Sequence, residues 1–434
     1  MRDLLMFVAL LFLIPLSFRS AFNAYLLWGW TGLISINTYL YGFMSSIQYV
    51  QLFSIIALFL ILIKKDNALG SFKINTTIVL LLIFATQVLF SATFAYPGLA
   101  RNWERCTDLL KTVLFCLCMP MVLTNRNRIY AFVLMLVIGS AFHGMLNGLK
   151  FIASGGAHMG IGPDKLGDNN HFAMVMVMTL PLILYIYAYS AYKWVKFGTI
   201  SIFILTVLTV IATRSRGGLI SITAMGFWLL KVSKRKVIAS MSLLGVAVLI
   251  VAVAPDSWSE RMNTINNVHE DSSFMTRVAA WKKSTAIALE NPFLGGGLDA
   301  VASPSLAGKF NEAQGLMGFI STPNPYNYVA HSIYFQVMGD LGFVGFSLFL
   351  ILLINVFRTR NQIKRLSASY ISRFRWAVDL SDMLTASMIA YVVGGALLSA
   401  AYFELPYILI MLMECIKQQI IVAIAKGDQY AGMD

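Results

Sequence analysis

The chain has 434 residues, 58% of them hydrophobic and only 12% charged, about half the charged share of a soluble domain. Its formal charge of +13 would suit a nucleic-acid partner, but most of the excess lies in short loops between apolar runs, as in membrane proteins. These features exclude a soluble enzyme and a nucleic-acid-binding domain, and the long apolar runs predict an all-α, polytopic membrane protein rather than a barrel.

Taken in chain order, Met1-Arg2-Asp3 leads into an apolar run with no convincing small-residue cleavage site, so no cleavable signal peptide is expected. The segment 4–36 is interrupted by Arg19 and reads as either one broken crossing or a tight helical pair. Spans are predicted at 47–63, 74–94, 106–124, 129–152, 172–190, 196–212, 218–232, 236–254, 331–356, 384–401 and 405–425. Every second loop is basic: Lys64, Lys65 and Lys73; Arg126 and Arg128; Lys193 and Lys196; Lys231, Lys234, Arg235 and Lys236; then Arg358 through Arg375. These loops, and the end near Lys426, are assigned to the cytoplasm. With Arg2 on the same side, 4–36 crosses once and the total is twelve spans. The organisation expected is an N-terminal transmembrane bundle (1–254), a large outer loop (255–330) and C-terminal transmembrane helices (331–434). Cys106, Cys116, Cys118 and Cys415 show no metal spacing and read as packing residues.

The loops facing the other way are 95–105, 153–171, 213–217, 255–330 and 402–404. Arg214 and Arg216 fall in a minimal span-to-span turn of that outer face, against the charge bias. Cations at a membrane edge are functional candidates by default, with snorkelling to lipid phosphates as the plain alternative. Gly217-Gly218 beside Arg216 permits close approach of backbone or ligand. Asp168, Asn169, Asn170 and His171 stand at the start of a span, where they either cap the helix or hydrogen-bond a sugar. Arg101 and Arg105 flank Trp103 and are weaker candidates for lipid-phosphate contact. In the large loop, Phe274, Val278, Trp281, Thr285 and Ala288 follow helical spacing from a cap at Ser272 or Ser273, and Pro292 with Gly295-Gly296-Gly297 stops the helix. Arg277 lies at the edge of its apolar face, and the helix is expected in the outer interface. Lys282 and Lys283 read as ordinary solvated charges. Pro323 and Pro325 keep the chain extended before His331, which is expected at a helix N-terminus whose dipole favours neutral imidazole and attracts anions. Gly339, Gly342 and Gly345 suggest close helix packing, and Asp340 reads as buried and paired.

The outer face thus holds arginines, a histidine and few acids, with no paired carboxylates for a metal ion or a glycosidase mechanism. Guanidinium groups match pyrophosphate bidentately, and fixed cations that stabilise a departing pyrophosphate lower a displacement barrier without a metal. A histidine near neutrality suits removal of a proton from an attacking hydroxyl. No cofactor and no metal is expected.

Three stretches resemble one family: "TRSRGGLISI" at 213–222, "TRVAAW" with "NPFLGGG" at 276–297, and "AHSIYFQVMGDLGFVG" at 330–345. In this order they are similar to the O-antigen ligase and polymerase family. "MRDLL" and "GDNNHFAMVMVMTLPLI" further resemble a subgroup described as O-glycosylation ligases. The resemblance implies a GT-C-type glycosyltransferase fold in the bacterial inner membrane, with its active site facing the periplasm. It also implies transfer of a glycan from undecaprenyl pyrophosphate to an acceptor, commonly the lipid A–core of lipopolysaccharide. It places the family's histidine on His331 and its two arginines on Arg216 and Arg277, while Arg214 has no firm counterpart. A polymerase joining two lipid-linked repeats, or a ligase acting on a protein acceptor, are the alternatives. A lipid-linked glycan transporter is more remote, because the charged candidates crowd one face.

Overall fold

The computed structural model describes residues 2–64, 69–163, 166–234, 272–310, 314–322, 329–425 and 427, and part of 236–248. Lys65, Arg235, Pro323, Pro325 and Lys426, much of the expected span 236–254 and the loop 255–271 lie outside the described residues. The described part is helical, with no strand among its residues: α1 (Arg2–Arg19), α2 (Ala21–Ile34), α3 (Tyr49–Leu62), α4 (Thr76–Thr93), α5 (Asn102–Val122), α6 (Arg126–Ala153), α7 (Asn169–Tyr189), α8 (Lys193–Ala212), α9 (Arg216–Val232), α10 (Ser272–Glu290), α11 (Ile333–Ser367), α12 (Ile371–Gly394) and α13 (Glu404–Ala425). Six helical stretches are long and apolar enough to cross a membrane: α4, α6, α7, α8, the run Ile333–Leu397 that holds α11 and α12, and α13. The chain is therefore a polytopic helical membrane protein.

Side-chain caps set several helix starts. Ser20, Asn75, Asn125, Asp168 and Ser215 each accept the N–H of the residue three further on, at 3.1, 3.0, 2.9, 2.8 and 3.0 Å, which satisfies a backbone donor that the helix leaves open. Ser20 does this immediately after Arg19, so the segment 4–36 is a helical pair and not a single crossing. The two helices run antiparallel. The start of α1 meets the chain beyond α2, where Asp3 Oδ1 accepts the Tyr41 N–H at 3.4 Å, Arg2 lies 5.5 Å from the Tyr41 ring centre and Phe7 meets Phe43. The turn lies near Arg128, whose guanidinium sits 5.0 Å from the Phe22 ring. Arg2 thus lies on the face opposite the basic loops, which corrects its assignment to their side.

One hydrophobic core runs through the bundle from Leu10 to Ile420. The α7 helix is its centre, buried from Phe172 to Ile183, and the Ser387 hydroxyl of α12 donates to its Met178 carbonyl at 2.6 Å. At the basic end, Glu414 is fully buried. It accepts the Thr77 hydroxyl at 2.9 Å and pairs with Lys417 at 2.7 Å, as a buried carboxylate must.

The feature that organises the opposite face is a break in α11. Gly342 has φ +70° and ψ −172°, outside the helical region, so the carbonyls and N–H groups around it lose their intrahelical partners. The loop after α10, "NPFLGGG", replaces them. Gly296 N–H donates to the Gly339 carbonyl at 2.9 Å, Gly297 N–H to Asp340 at 3.0 Å, and Phe343 N–H to Pro292 at 2.8 Å. The Asp340 carboxylate, fully buried, accepts the Ala300 N–H at 3.1 Å and the Tyr402 hydroxyl at 3.1 Å. Asp340 is buried and paired as expected. The glycine spacing makes the expected close helix–helix approach at one of its three positions. Gly339 admits Ser284 of α10 (3.2 Å from an added Cβ to its Cα), Gly342 makes the break, and a Cβ at Gly345 would meet only its own helix's Leu341.

An added Cβ at Gly295, where φ is +68°, would stand 2.5 Å from Asp340 and Gly342 backbone atoms. Gly295→Ala is therefore expected to destabilise the fold by about 1–3 kcal/mol, read as a lowered unfolding temperature of the purified protein in detergent. An unchanged temperature would show that the lock carries no load.

Candidate functional site

Trp281, one helical turn beyond Arg277, brings α10 to the start of α11. Its indole N–H donates to the Ala330 carbonyl at 2.7 Å, and its ring stacks on Phe335 at 4.8 Å between centres. Ala330 precedes His331, so Arg277 is delivered to the histidine's side. His331 lies two residues before the first residue of α11 and adopts a left-handed φ of +43°. A residue held in that region is strained, and the structure holds it through its own backbone N–H, which donates to Ser399 Oγ at 2.8 Å. The half-buried imidazole is held below its ordinary value, chiefly by burial and next by the Arg277 guanidinium, while Asp168 opposes them. Arg277 and Asp168, far apart in the chain, thus act on the same ring.

Ser399 was not visible in the sequence. The expected span 384–401 ends at Gly394, and residues 398–403 run as a loop on the face opposite the basic loops. Ser399, Ala400 and Ala401 give hydropathy no reason to stop. Tertiary hydrogen bonds pin the loop: the Tyr391 hydroxyl to the Ala400 carbonyl at 3.1 Å, the Tyr407 hydroxyl to Ala401 at 2.6 Å, and the Ala401 N–H to Gln336 Oε1 at 3.1 Å.

Asp168 caps α7, and its two neighbours fasten the arginine turn. Asn169 Nδ2 donates to the Thr213 carbonyl at 2.8 Å, and Asn170 Oδ1 accepts the Ser215 hydroxyl at 2.7 Å. Ser215 in turn caps the helix whose first residue is Arg216. Arg216 is half-buried there, tied through Ser215 and Asn170 to the helix start that carries Asp168. Gly218 serves packing, since an added Cβ would lie 2.8 Å from Ala173 of α7. Arg214 adopts φ +52° and its guanidinium donates to the Ala157 carbonyl at 3.4 Å, which turns it towards the glycine-rich loop.

Lys282 and Lys283 are corrected. Both are buried, at 5% and 1% exposure. The Lys282 ammonium donates to Gln314 at 3.0 Å, and Lys283 reaches the Ser303 carbonyl at 3.4 Å while burial pushes it down to about 8. The chain after α10 folds back over both, which helical periodicity in α10 alone does not reveal.

A cavity of about 1030 Å³ lies on the same face, among the outer ends of α2, α5, α6, α7 and α13. Arg105 and Asp168 are on its wall, with Ser399 and Gln336, whereas among the described residues Arg216, Arg277 and His331 are not. Arg101 and Lys111 also line it. Among the described residues no three His, Cys, Asp or Glu side chains come together as a metal site.

No curated protein matches the chain. A family of unknown function (DUF5935) matches residues 1–191. The O-antigen ligase family matches residues 201–350, the stretch that contains Arg216, Arg277 and His331. It is this segment, about a third of the chain, that is similar to the O-antigen ligase family.

Proposed function

We propose that the chain is a metal-independent glycan ligase of the bacterial inner membrane, with a GT-C-type fold and its cavity face towards the periplasm. It takes a glycan from undecaprenyl pyrophosphate and joins it to an acceptor hydroxyl, the lipid A–core of lipopolysaccharide being the acceptor we favour. The basic loops at the other face support this orientation. The single observation that carries the reading is that Trp281 holds α10, and with it Arg277, against the start of α11 beside the half-buried His331, inside a segment matching the O-antigen ligase family.

In the proposed step His331 accepts the proton of the acceptor hydroxyl. The oxygen attacks the anomeric carbon, and the bond to the lipid pyrophosphate breaks with its electron pair leaving on the phosphate. Arg216 and Arg277 hold that growing negative charge, a stabilisation that needs no reorganisation when the groups are already fixed. A histidine kept neutral by burial and by Arg277 is ready to accept a proton at pH 7. Asp168 limits the depression so that the ring stays basic enough to work. Arg214 is a secondary donor contact, and Asn169 and Asn170 position the turn that carries Arg216.

Reconstitution with an undecaprenyl-pyrophosphate glycan and lipid A–core, followed by product analysis, tests the reading. His331→Asn, which tolerates the left-handed backbone, is expected to lower ligation by about 10²–10⁴-fold with donor binding retained; ligation at the parent rate would remove the proposed base. Arg277→Lys keeps the charge but loses the bidentate fork and is expected to weaken donor binding by about tenfold or more, measured as donor KM.

The pH dependence follows from the sign of each influence. Since the charged form of His331 is disfavoured, activity is expected to fall only as pH drops below the ordinary histidine value of about 6.5. Asp168→Asn keeps a capping oxygen but removes the charge that raises His331, so the acidic limb of kcat/KM moves to lower pH. A limb that stays in place, or moves up, would disconnect Asp168 from the base.

A further inference from the structure

We infer that the cavity formed largely by residues 1–191 is the acceptor-glycan site, and that Arg105 on its wall selects an acceptor carrying phosphate. Calling the occupant an acceptor rests on the ligase reading above; the cavity and its chemistry do not.

The volume, about 1030 Å³, is at the top of the usual range of about 300–1,000 Å³ for ligand sites. Its wall combines aromatic surface from Trp28 and Phe115 with uncharged hydrogen-bonding groups from Asn37, Thr38 and Ser140, the mixture that suits a sugar's apolar faces and hydroxyls. One stripe of α5 forms the adjoining side: Arg101, Arg105, Asp108, Thr112 and Phe115 recur every three or four residues and all line the cavity. These charges run well into a helix of the bundle. At about 1.5 Å per residue, Lys111 lies roughly 13 Å beyond the helix start. Ionisable groups at such depth face water-filled cavities and mark substrate paths.

Arg105 stands out among these charges. Arg101 is paired with Glu104 at 3.4 Å, and Lys111 with Asp108 at 3.8 Å. Asp168 caps α7, and Glu404, the remaining acid on the wall, has its own partner. Among the described residues the Arg105 guanidinium makes no hydrogen bond and no ion pair. A half-buried guanidinium without a protein partner, on the wall of a cavity, presents a fork that fits a phosphate. The donor pyrophosphate already has Arg216 and Arg277 in the proposed step, and neither lines this cavity, so the anion that Arg105 receives belongs to the second substrate. Ser399, which holds His331, and Gln336, one turn into α11, close the cavity on the side of the proposed base. An acceptor in the cavity would therefore present its hydroxyl next to His331.

The test is binding to the full-length protein in nanodiscs by calorimetry, without turnover. The probes are a phosphorylated lipopolysaccharide core oligosaccharide and its phosphatase-treated counterpart. The parent protein is expected to bind the phosphorylated probe at least tenfold more tightly, Arg105→Gln to lose that preference, and Arg105→Lys to recover part of it. Affinity for the undecaprenyl-pyrophosphate glycan should be the same in all three proteins. Retention of the preference in Arg105→Gln overturns the inference, as does a tenfold loss of donor affinity, which would put Arg105 on the donor instead. Because no product is formed, core binding with inactive ligation would reject the ligase reading alone. Ligation with no Arg105-dependent core binding would reject this inference alone.

Discussion

The face opposite the basic loops depends on a backbone lock between two distant parts of the chain. When α11 breaks at Gly342 it exposes peptide groups inside the bundle, and a buried peptide group without a partner is costly. The loop 291–297 supplies the partners, donating from Gly296 and Gly297 and accepting from Phe343. Asp340 adds side-chain bonds to Ala300 and Tyr402. The outer segment beginning at α10 is thereby fixed to the bundle instead of lying loosely on it.

From that lock the position of each charged group follows. A docked α10 sets Trp281 on the Ala330 carbonyl and Phe335, which brings Arg277 to His331. The same break lets the Tyr402 hydroxyl reach Asp340, so the 398–403 loop is held close and Ser399 can hold the His331 backbone in its left-handed turn. On the other side, Asn169 and Asn170 tie the start of α7 to the turn before α9, joining Asp168 to the Arg216 side. One set of hydrogen bonds fixes the backbone of His331, and the other fixes the helix start that carries Asp168 to the turn that carries Arg216. The chain also divides by chemistry: residues 201–350 supply the three proposed reacting and donor-holding side chains, and residues 1–191 supply most of the cavity wall.

Much of this was legible in the sequence for local reasons. The helix cap at Asp168 and the stop after Glu290 depend on a few adjacent residues, and they form where read. The Arg277 position beside Trp281 follows from helical geometry alone. The failures are equally physical. Periodicity in α10 assigned Lys282 and Lys283 to solvent, because the residues that cover them, around Ser303 and Gln314, come later in the chain. The span 384–401 overshoots the end of α12, because Ser399 and the alanines beside it are as compatible with lipid as with a pinned loop. Arg105 reads as a weaker candidate in the sequence, because its isolation inside a cavity is a property of neighbours from α2, α6 and α7.

By itself the sequence determined that this is a helical membrane protein, where most helices start and stop, and which cations defy the charge bias, since hydropathy, capping and loop charge are local or additive along the chain. Tertiary structure alone decided that α1 and α2 form a pair, that Gly342 opens α11 to the "NPFLGGG" loop, and that Arg277 and Asp168 both bear on the charge of His331. Those outcomes depend on which unsatisfied backbone groups and which buried charges find each other across hundreds of residues, and no local window of the chain contains both partners.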